Sequence, residues 1–457
     1  MSDYETFLAT KSRTVEPSGF EPPELSTDLF PFQRDLVRWA LRAGRAALFA
    51  DTGLGKTRMQ LEWARRVIEH VPGESVLILA PLAVAAQTQR EGRSIGIDVT
   101  LCRELADLRP GVNITNYDRV ERFANEIFAG VVLDESSIIK HHDAKTLATM
   151  LRIFEDTPLK LCATATPAPN DHAELGTHAE FLGVCSRQEM LSEFFIHDHS
   201  DTTAAWRLKG HAERAFWRWV SSWAALVRHP RDLGYEMPGY DLPELKVEHV
   251  YVGGEPLAEG EHFGLMERRR ARKASISERV EWCSDLVNGD PGEPWIVWGE
   301  LNAETEALAK AIPGAVEVRG SDKPEDKERK LIDFAEGRTR VLVSKPSICG
   351  FGLNWQHASR MAFVGVNDSW ESYYQAVRRC WRFGQQRPVE VAIFASEAER
   401  SIVENLARKA AQAKEMADEL SERTKDAVRE AVRAPRRYNP YEPTVALEVP
   451  AWLRSVA

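Results

Sequence analysis

No two cysteines stand in a C-x-x-C spacing. The six present, Cys102, Cys162, Cys185, Cys283, Cys349 and Cys380, are scattered along the chain. That argues against a disulfide framework or a zinc ribbon and suits a reducing compartment. No apolar run reaches the roughly 20 residues needed to span a bilayer. The opening stretch, MSDYETFLATKSR, has no apolar core, which argues against secretion and for the cytoplasm. An excess of positive charge is missing too. The formal net charge is −10, the wrong sign for a simple coat on nucleic acid, although local basic clusters decide such binding rather than the sum.

What is present reads as a soluble globular protein of two or three domains. The chain has 457 residues, of which 43% are hydrophobic and 28% charged. Basic residues gather at Arg268–Arg272, Arg378–Arg387 and Arg433–Arg437. Short apolar runs recur in the first half at Ala46–Ala50, Val76–Ala80, Val112–Thr115, Val131–Leu133 and Leu159–Ala163. The second half repeats the theme at Trp295–Trp298, Ala315–Val318, Val341–Ser344, Met361–Val364 and Val389–Phe394. Helical patterns such as Thr57–His70 separate these runs. Buried strands of parallel sheets read this way, because helices cover both faces. The fold expected is therefore α/β, with two parallel sheets in tandem, a helical insertion and a C-terminal helix.

The expected organisation is an N-terminal segment over 1–25, read as flexible, then a first lobe over 26–240 with a helical extension at 170–235. A linker over 241–280 follows, with a strand at Lys246–Val252. The second lobe covers 281–397, and a helix and tail occupy 398–457. Ile402, Leu406, Met416, Leu420 and Val428 form one apolar helical stripe, expected to pack back on the second lobe. The tail from Ala434 is either an extended strap or disordered.

Three strings carry chemistry. Asp51-Thr52-Gly53-Leu54-Gly55-Lys56-Thr57 follows a predicted strand and opens a predicted helix, the context of a phosphate-binding loop. Its glycines let backbone N–H groups approach phosphate oxygens, and the helix N-terminus adds positive potential. Lys56 would contact the β- and γ-phosphates and the Thr57 hydroxyl would ligate Mg²⁺. Ala50 stands where such loops usually begin with glycine. Val131–Leu133 then leads into Asp134-Glu135-Ser136-Ser137. A strand-end Asp can hold Mg²⁺ and the adjacent Glu can take a proton from attacking water. In Gln375–Gln385, Arg379 and Arg382 are three apart, hence expected on one helical face. Two guanidinium groups so placed could stabilise charge on a γ-phosphate.

Other strings look like chemistry but read better as packing. His197-Asp198-His199 and His141-His142 lack the partners of a zinc site. Trp206, Trp217, Trp219 and Trp223 could stack bases, but their spacing suits a core, and Tyr373 and Tyr374 also read as packed.

In their order, these elements resemble the superfamily-2 helicases, and most closely their Swi/Snf-like branch of DNA translocases, in forms seen in phages and bacteria. The resemblance covers about 30 to 395. Phe30-Pro31-Phe32-Gln33 resembles the adenine-recognising segment, with Gln33 as base reader. Ala80-Pro81-Leu82, with Gln87 and Glu91, and Thr115-Asn116-Tyr117 resemble strand-tracking segments. Asp134-Glu135-Ser136-Ser137 with Lys140 is similar to the metal motif. Ala163-Thr164-Ala165-Thr166-Pro167, with Asn170, resembles the segment linking ATP state to nucleic acid. Gly350-Phe351-Gly352-Leu353-Asn354 resembles the Gly-rich turn of the second lobe. Gln375, Arg379, Arg382 and Gln385 fall on the arginine-finger motif. The chain departs from the family at Ser137, where His or Asp is usual, and in a phosphate loop one residue shorter than the common form.

The resemblance implies two RecA-like lobes that hydrolyse ATP with Mg²⁺ between them and move along DNA. Lys56, Asp134, Glu135, Arg379 and Arg382 would be catalytic, with Thr57 and Asp134 at the metal. Gln33, Thr52, Gly53, Leu54, Gly55, Lys56, Thr57, Gly352 and Gln375 would bind the nucleotide. Pro81, Gln87, Thr115, Thr166, Lys345 and Asn354 would contact nucleic acid, mostly at phosphates. Duplex DNA is expected ahead of single strands, with RNA as the other polymer, no membrane, and a protein partner of unknown kind. The rival readings are a strand-separating helicase on DNA or RNA, an inactive nucleic-acid-binding scaffold, and a motor subunit of a larger machine.

Overall fold

The computed structural model describes residues 15–81, 84–140, 145–168, 172–197, 206–253, 265–349, 354–367 and 369–433. Gly352 and its neighbours 350–353, Leu82, Asn170, His141, His142, Asp198, His199 and the tail from Ala434 lie outside the described residues. So do the side chains of Met416 and Leu420 on the C-terminal stripe.

Two parallel sheets organise the chain, one in each half. The first has the order β3-β4-β2-β5-β6-β1-β9, with β1 Arg45–Ala50, β2 Ser75–Ala80, β3 Val99–Leu101, β4 Gly111–Asn116, β5 Gly130–Asp134, β6 Leu159–Ala163 and β9 Ala224–Val227. The predicted apolar runs are its strands because they are buried on both faces. In β1, Ala46, Leu48 and Ala50 enter one core, while Ala47 and Phe49 enter the core on the opposite face. That alternation is the two-residue period of a strand inside a three-layer sandwich.

The second sheet has the order β10-β15-β14-β11-β13-β12. Its strands are β10 Leu245–Val252, β11 Trp295–Gly299, β12 Ala315–Glu317, β13 Val341–Ser344, β14 Arg360–Val364 and β15 Val389–Ser396. Ile296 and Trp298 of β11 face one core, and Trp295 and Val297 face the other. A buried ion pair locks one side. Arg279 Nη1 lies 2.7 Å from Glu304 Oε1, and both side chains are fully buried.

Three expectations need correction. The 170–235 stretch is not only helical. It contains the antiparallel hairpin of β7 Phe195–His197 and β8 Trp206–Leu208, and its Ala224–Val227 is β9, paired in parallel with β1. The strand expected in the linker is an edge strand of the second sheet, paired along its length with β15.

The third correction concerns the C-terminal helix, Arg400–Arg433. Its start packs on the second lobe through Ile402, Val403 and Leu406. At 34 residues it is about 50 Å long, so its far end reaches the first lobe. There Val428 and Val432 enter the core that also holds Leu36, Val37 and Ala40 of the helix Pro31–Ala43. Ser421 Oγ donates to Asp232 Oδ2 at 3.2 Å, and Arg433 donates to Leu233 O at 2.6 Å. Arg228–Asp418 and Arg423–Glu213 pairs add charge contacts. The helix bridges both lobes.

Three of the four tryptophans of the insertion are core, and Trp206 is half-buried against them. Trp217, Trp219 and Trp223 are at most 5% exposed. They pack with Phe194 and Phe216 beneath the first sheet.

Candidate nucleotide site between the two lobes

Strand order places the site. In the first sheet β6 alone separates β5 from β1, so the phosphate loop after β1 and the acids at the end of β5 emerge side by side. Ligands of open parallel sheets gather outside these carboxyl ends. Gly53 has φ +96° and Gly55 φ +82°, left-handed conformations that a side chain would strain. A Cβ on Gly55 would stand 2.3 Å from Gln33 Nε2, and one on Gly53 would stand 2.9 Å from Phe383 N. Gly55 caps the helix Lys56–His70 without a side-chain bond, so the first-turn N–H groups face the loop with no capping acceptor.

Lys56 turns back into this loop and donates to Ala50 O at 2.9 Å. Burial holds its ammonium below the ordinary value. On the neighbouring strand, Asp134 is 5% exposed and accepts from Gln60 Nε2 at 2.6 Å. Burial, then the adjacent Glu135, push its carboxyl up to about 7. Tyr117 donates to Asp134 O at 2.7 Å and fixes the strand end. Glu135 has φ +52°, the one positive φ among the described non-glycine residues. Such a conformation persists only where the surroundings enforce it. Its Oε2 is buried with no hydrogen-bond partner. Two adjacent carboxyls, one of them unsatisfied, beside the Thr57 position make a donor set that fits a divalent cation.

From the second lobe, the segment after the helix Trp370–Val377 closes over the loop. Arg379 and Arg382 were expected on one helical face, but the helix ends at Val377. The chain then winds through tight turns, with Arg382 N donating to Cys380 O at 3.1 Å. Buried Gln385 enforces this, since its Nε2 donates to Ala358 O at 2.9 Å and to Gln356 O at 3.0 Å. Gly384, at φ +89°, completes the turn. Arg382 still reaches the site, because a Cβ on Gly53 would stand 3.7 Å from its own Cβ. Its buried Nε has no partner. Burial, then nearby Arg378, push its guanidinium down to about 10. Lys56 and Arg382 are thus two desolvated cations at one loop, an arrangement that an anion would relieve. Arg379 and Gln375 are buried, at 5% and 3% exposure.

One contact between the lobes, made by Asp51, Tyr374 and Arg378, escaped the sequence reading. Asp51 Oδ2 lies 2.6 Å from Arg378 Nη2, and Tyr374 donates its hydroxyl to Asp51 Oδ1 at 2.7 Å. Burial alone would raise the Asp51 carboxyl, but Arg378 and Tyr374 together hold it below its ordinary value. The lobes are therefore clasped across the phosphate loop. A cavity of about 590 Å³ opens beside the clasp, lined by Asp51, Thr166, Trp370, Tyr374 and Arg378 among others.

Several expected contacts are spent inside the protein. Gln33 donates to Leu54 O at 2.8 Å and accepts from Phe30 N at 2.9 Å, so its amide braces the loop. Thr115 is fully buried and donates to Cys102 O at 2.8 Å, which removes it from the surface that a polymer could touch. Thr166 is 6% exposed and donates to Glu371. Pro81, Gln87 and Lys345 are half-buried and Asn354 is exposed.

Comparison with known proteins follows this geometry. Residues 278–384, from the first helix of the second lobe through Gly384, match the family described as the Helicase conserved C-terminal domain. A curated relative, the SWI/SNF-related matrix-associated actin-dependent regulator of chromatin subfamily A-like protein 1 of Drosophila melanogaster, is 20% identical over an alignment covering 80% of this chain and 53% of the relative. The chain thus carries a segment of the helicase C-terminal family and is similar to a Swi/Snf-related protein. It spans about half the length of that relative. A solved structure, the Sulfolobus solfataricus SWI2/SNF2 ATPase core in complex with dsDNA, is similar over 91% of this chain and 99% of that chain, with 16% identity and a TM-score of 0.43. The arginine-bearing turn lies inside the matched 278–384 segment. Among the described residues no helix is long and apolar enough to cross a membrane.

Proposed function

We propose that the chain is a DNA-dependent ATPase that hydrolyses ATP between its lobes and moves along duplex DNA. One observation carries the reading: Lys56 and the Asp134-Glu135 pair on the first lobe share a cleft with Arg382 of the second. Each half alone lacks part of that set. Similarity to a Swi/Snf-related regulator of chromatin supports DNA as the polymer.

In this reading the loop from Thr52 to Thr57 cradles the phosphates by its backbone N–H groups, with Lys56 exchanging Ala50 O for a phosphate oxygen. Thr57 and Asp134 would hold Mg²⁺, which when bound would supply charge neutralisation at the phosphates. Glu135 orients and deprotonates water with its otherwise unpartnered oxygen. Arg382, together with Arg379, would place positive charge where negative charge builds up. Pro81, Gln87, Lys345 and Asn354 remain as candidate contacts to the DNA backbone, so sequence preference should be weak.

The test is ATP turnover measured in parallel with single-stranded, duplex and branched DNA and with RNA, on the full chain and on Lys56→Ala. Duplex DNA should stimulate most, and Lys56→Ala should lose the stimulated turnover while keeping its fold by circular dichroism. Undiminished turnover in Lys56→Ala sinks the site. Stimulation by RNA alone sinks the polymer.

A further inference from the structure

A second crossing between the lobes lies beside the nucleotide site. Glu371 stands in the first turn of the helix Trp370–Val377, after the N-cap Ser369, whose Oγ accepts from Ser372 N at 3.3 Å. A carboxylate is favoured at that end of a helix. Its Oε1 accepts from Ser137 Oγ at 3.0 Å and from Thr166 Oγ1 at 3.3 Å. Its Oε2 accepts from Lys140 Nζ at 2.5 Å. All three donors belong to the first lobe, and they come from two separate segments. Ser137 lies within the 3₁₀ turn Ser136–Ile139 that follows Asp134-Glu135, and Lys140 caps its end, three residues on, where side chains eclipse. Thr166 belongs to the loop after β6.

The chemistry is fully matched. An ionised carboxylate only accepts, and it meets two hydroxyls and an ammonium. Ser137 and Thr166 are 5% and 6% exposed, so these bonds form where water competes little. Glu371, Tyr374 and Arg378 are spaced i, i+3 and i+7, hence on one side of the helical path. That one side touches the acid turn, the loop after β6, and Asp51 of the phosphate loop.

We propose that Glu371 is a positioning residue. It ties the turn carrying Asp134-Glu135 to the second lobe, so that the approach of that lobe sets the place of the acids. The link is stiff on the first-lobe side. Glu135 is held in a left-handed conformation two residues before Ser137, and the strand end is pinned by Tyr117. Ser137, where the family usually carries His or Asp, is thereby a hydroxyl donor to a second-lobe carboxylate. The kinetic part of this inference rests on the ATPase reading above.

The test uses the full chain with Glu371→Gln, Glu371→Lys, and the exchange Lys140→Glu with Glu371→Lys. At saturating duplex DNA, Glu371→Gln should lower kcat about tenfold, the scale of a coupling between sites, and leave the KM for ATP within about twofold. The exchange should recover part of the loss of Glu371→Lys, since hydroxyls can also accept from an ammonium. Equal loss of kcat and of ATP binding, or unchanged kcat, overturns the proposal. Amide hydrogen exchange across 136–140 needs no turnover and should speed up about tenfold in Glu371→Gln. Unchanged exchange there rejects the positioning role whatever the kinetics. A wild-type chain that DNA does not stimulate rejects the functional reading instead, and the exchange result then decides the role of Glu371.

Discussion

Arg378 reaches from the second lobe to place its guanidinium 2.6 Å from the carboxylate of Asp51 in the phosphate loop, where the arginine is 4% and the aspartate 16% exposed. Tyr374 donates to the other oxygen of the same carboxylate. Removing one partner of such a pair leaves the other buried and uncompensated, at a cost of about 3 kcal/mol. Arg378→Ala should therefore loosen the lobes, seen as a larger radius of gyration by X-ray scattering. An unchanged radius with an unchanged Tm would show that the clasp does not hold the lobes together.

Arg382 should act on the chemical step. Arg382→Ala is expected to spare nucleotide binding and to lower kcat by about 10³-fold. Its Nε has no protein partner to lose, so Tm should hardly move. Nucleotide affinity falling in parallel with kcat would assign Arg382 to ground-state binding instead.

Acid should destabilise the first lobe through His178. Burial pushes this imidazole from 6.5 down to about 4, and its ring nitrogen shares a hydrogen bond with Ser136 Oγ at 3.1 Å. Between those values the unfolded chain binds the proton and the native chain does not. Stability is thus complete above about pH 6.5 and is lost as pH falls towards 4, by up to about 1.4 kcal/mol per pH unit. Denaturant midpoints across that range should show a slope that His178→Asn flattens. An equal slope in the variant would place the acid sensitivity elsewhere.

Val428 offers a test of the bridging helix. It is 1% exposed within the first lobe's core. Val428→Asp should cost about 3 kcal/mol, as an unpaired buried charge does. Amides of the helix Pro31–Ala43 should lose exchange protection, while those of β11 and β14 keep theirs. Loss spread evenly over both sheets would mean that the lobes unfold as one unit.

Much of this architecture was legible because buried parallel strands are nearly continuous apolar runs. Ala46–Ala50 and Val131–Leu133 could hardly be anything else. The positions of Lys56, Asp134 and Glu135 at the strand ends were legible for a related reason, since each follows such an apolar run. Ala224–Val227 was missed because four apolar residues directly after the helix Glu213–Ser221 extend its pattern without a break. The helical face assigned to Arg379 and Arg382 failed because spacing cannot register the pull of Gln385 on three carbonyls. The contacts of Asp51, Glu371, Tyr374 and Arg378 between the lobes were out of reach. Each makes its contact across the cleft, so their roles depend on how two independently patterned lobes face each other.

The bridging helix also sets an order of assembly. Synthesis runs from the N-terminus, so Val428 and Val432 are made roughly 390 residues after the helix Pro31–Ala43 against which they pack. At about 5–20 residues per second that is an interval of roughly 20–80 s. Throughout it, the first lobe carries an uncovered apolar face while still attached to the ribosome. A chain released early, anywhere in the second lobe, would keep that face exposed and be prone to aggregate, even with every residue of its phosphate loop in place.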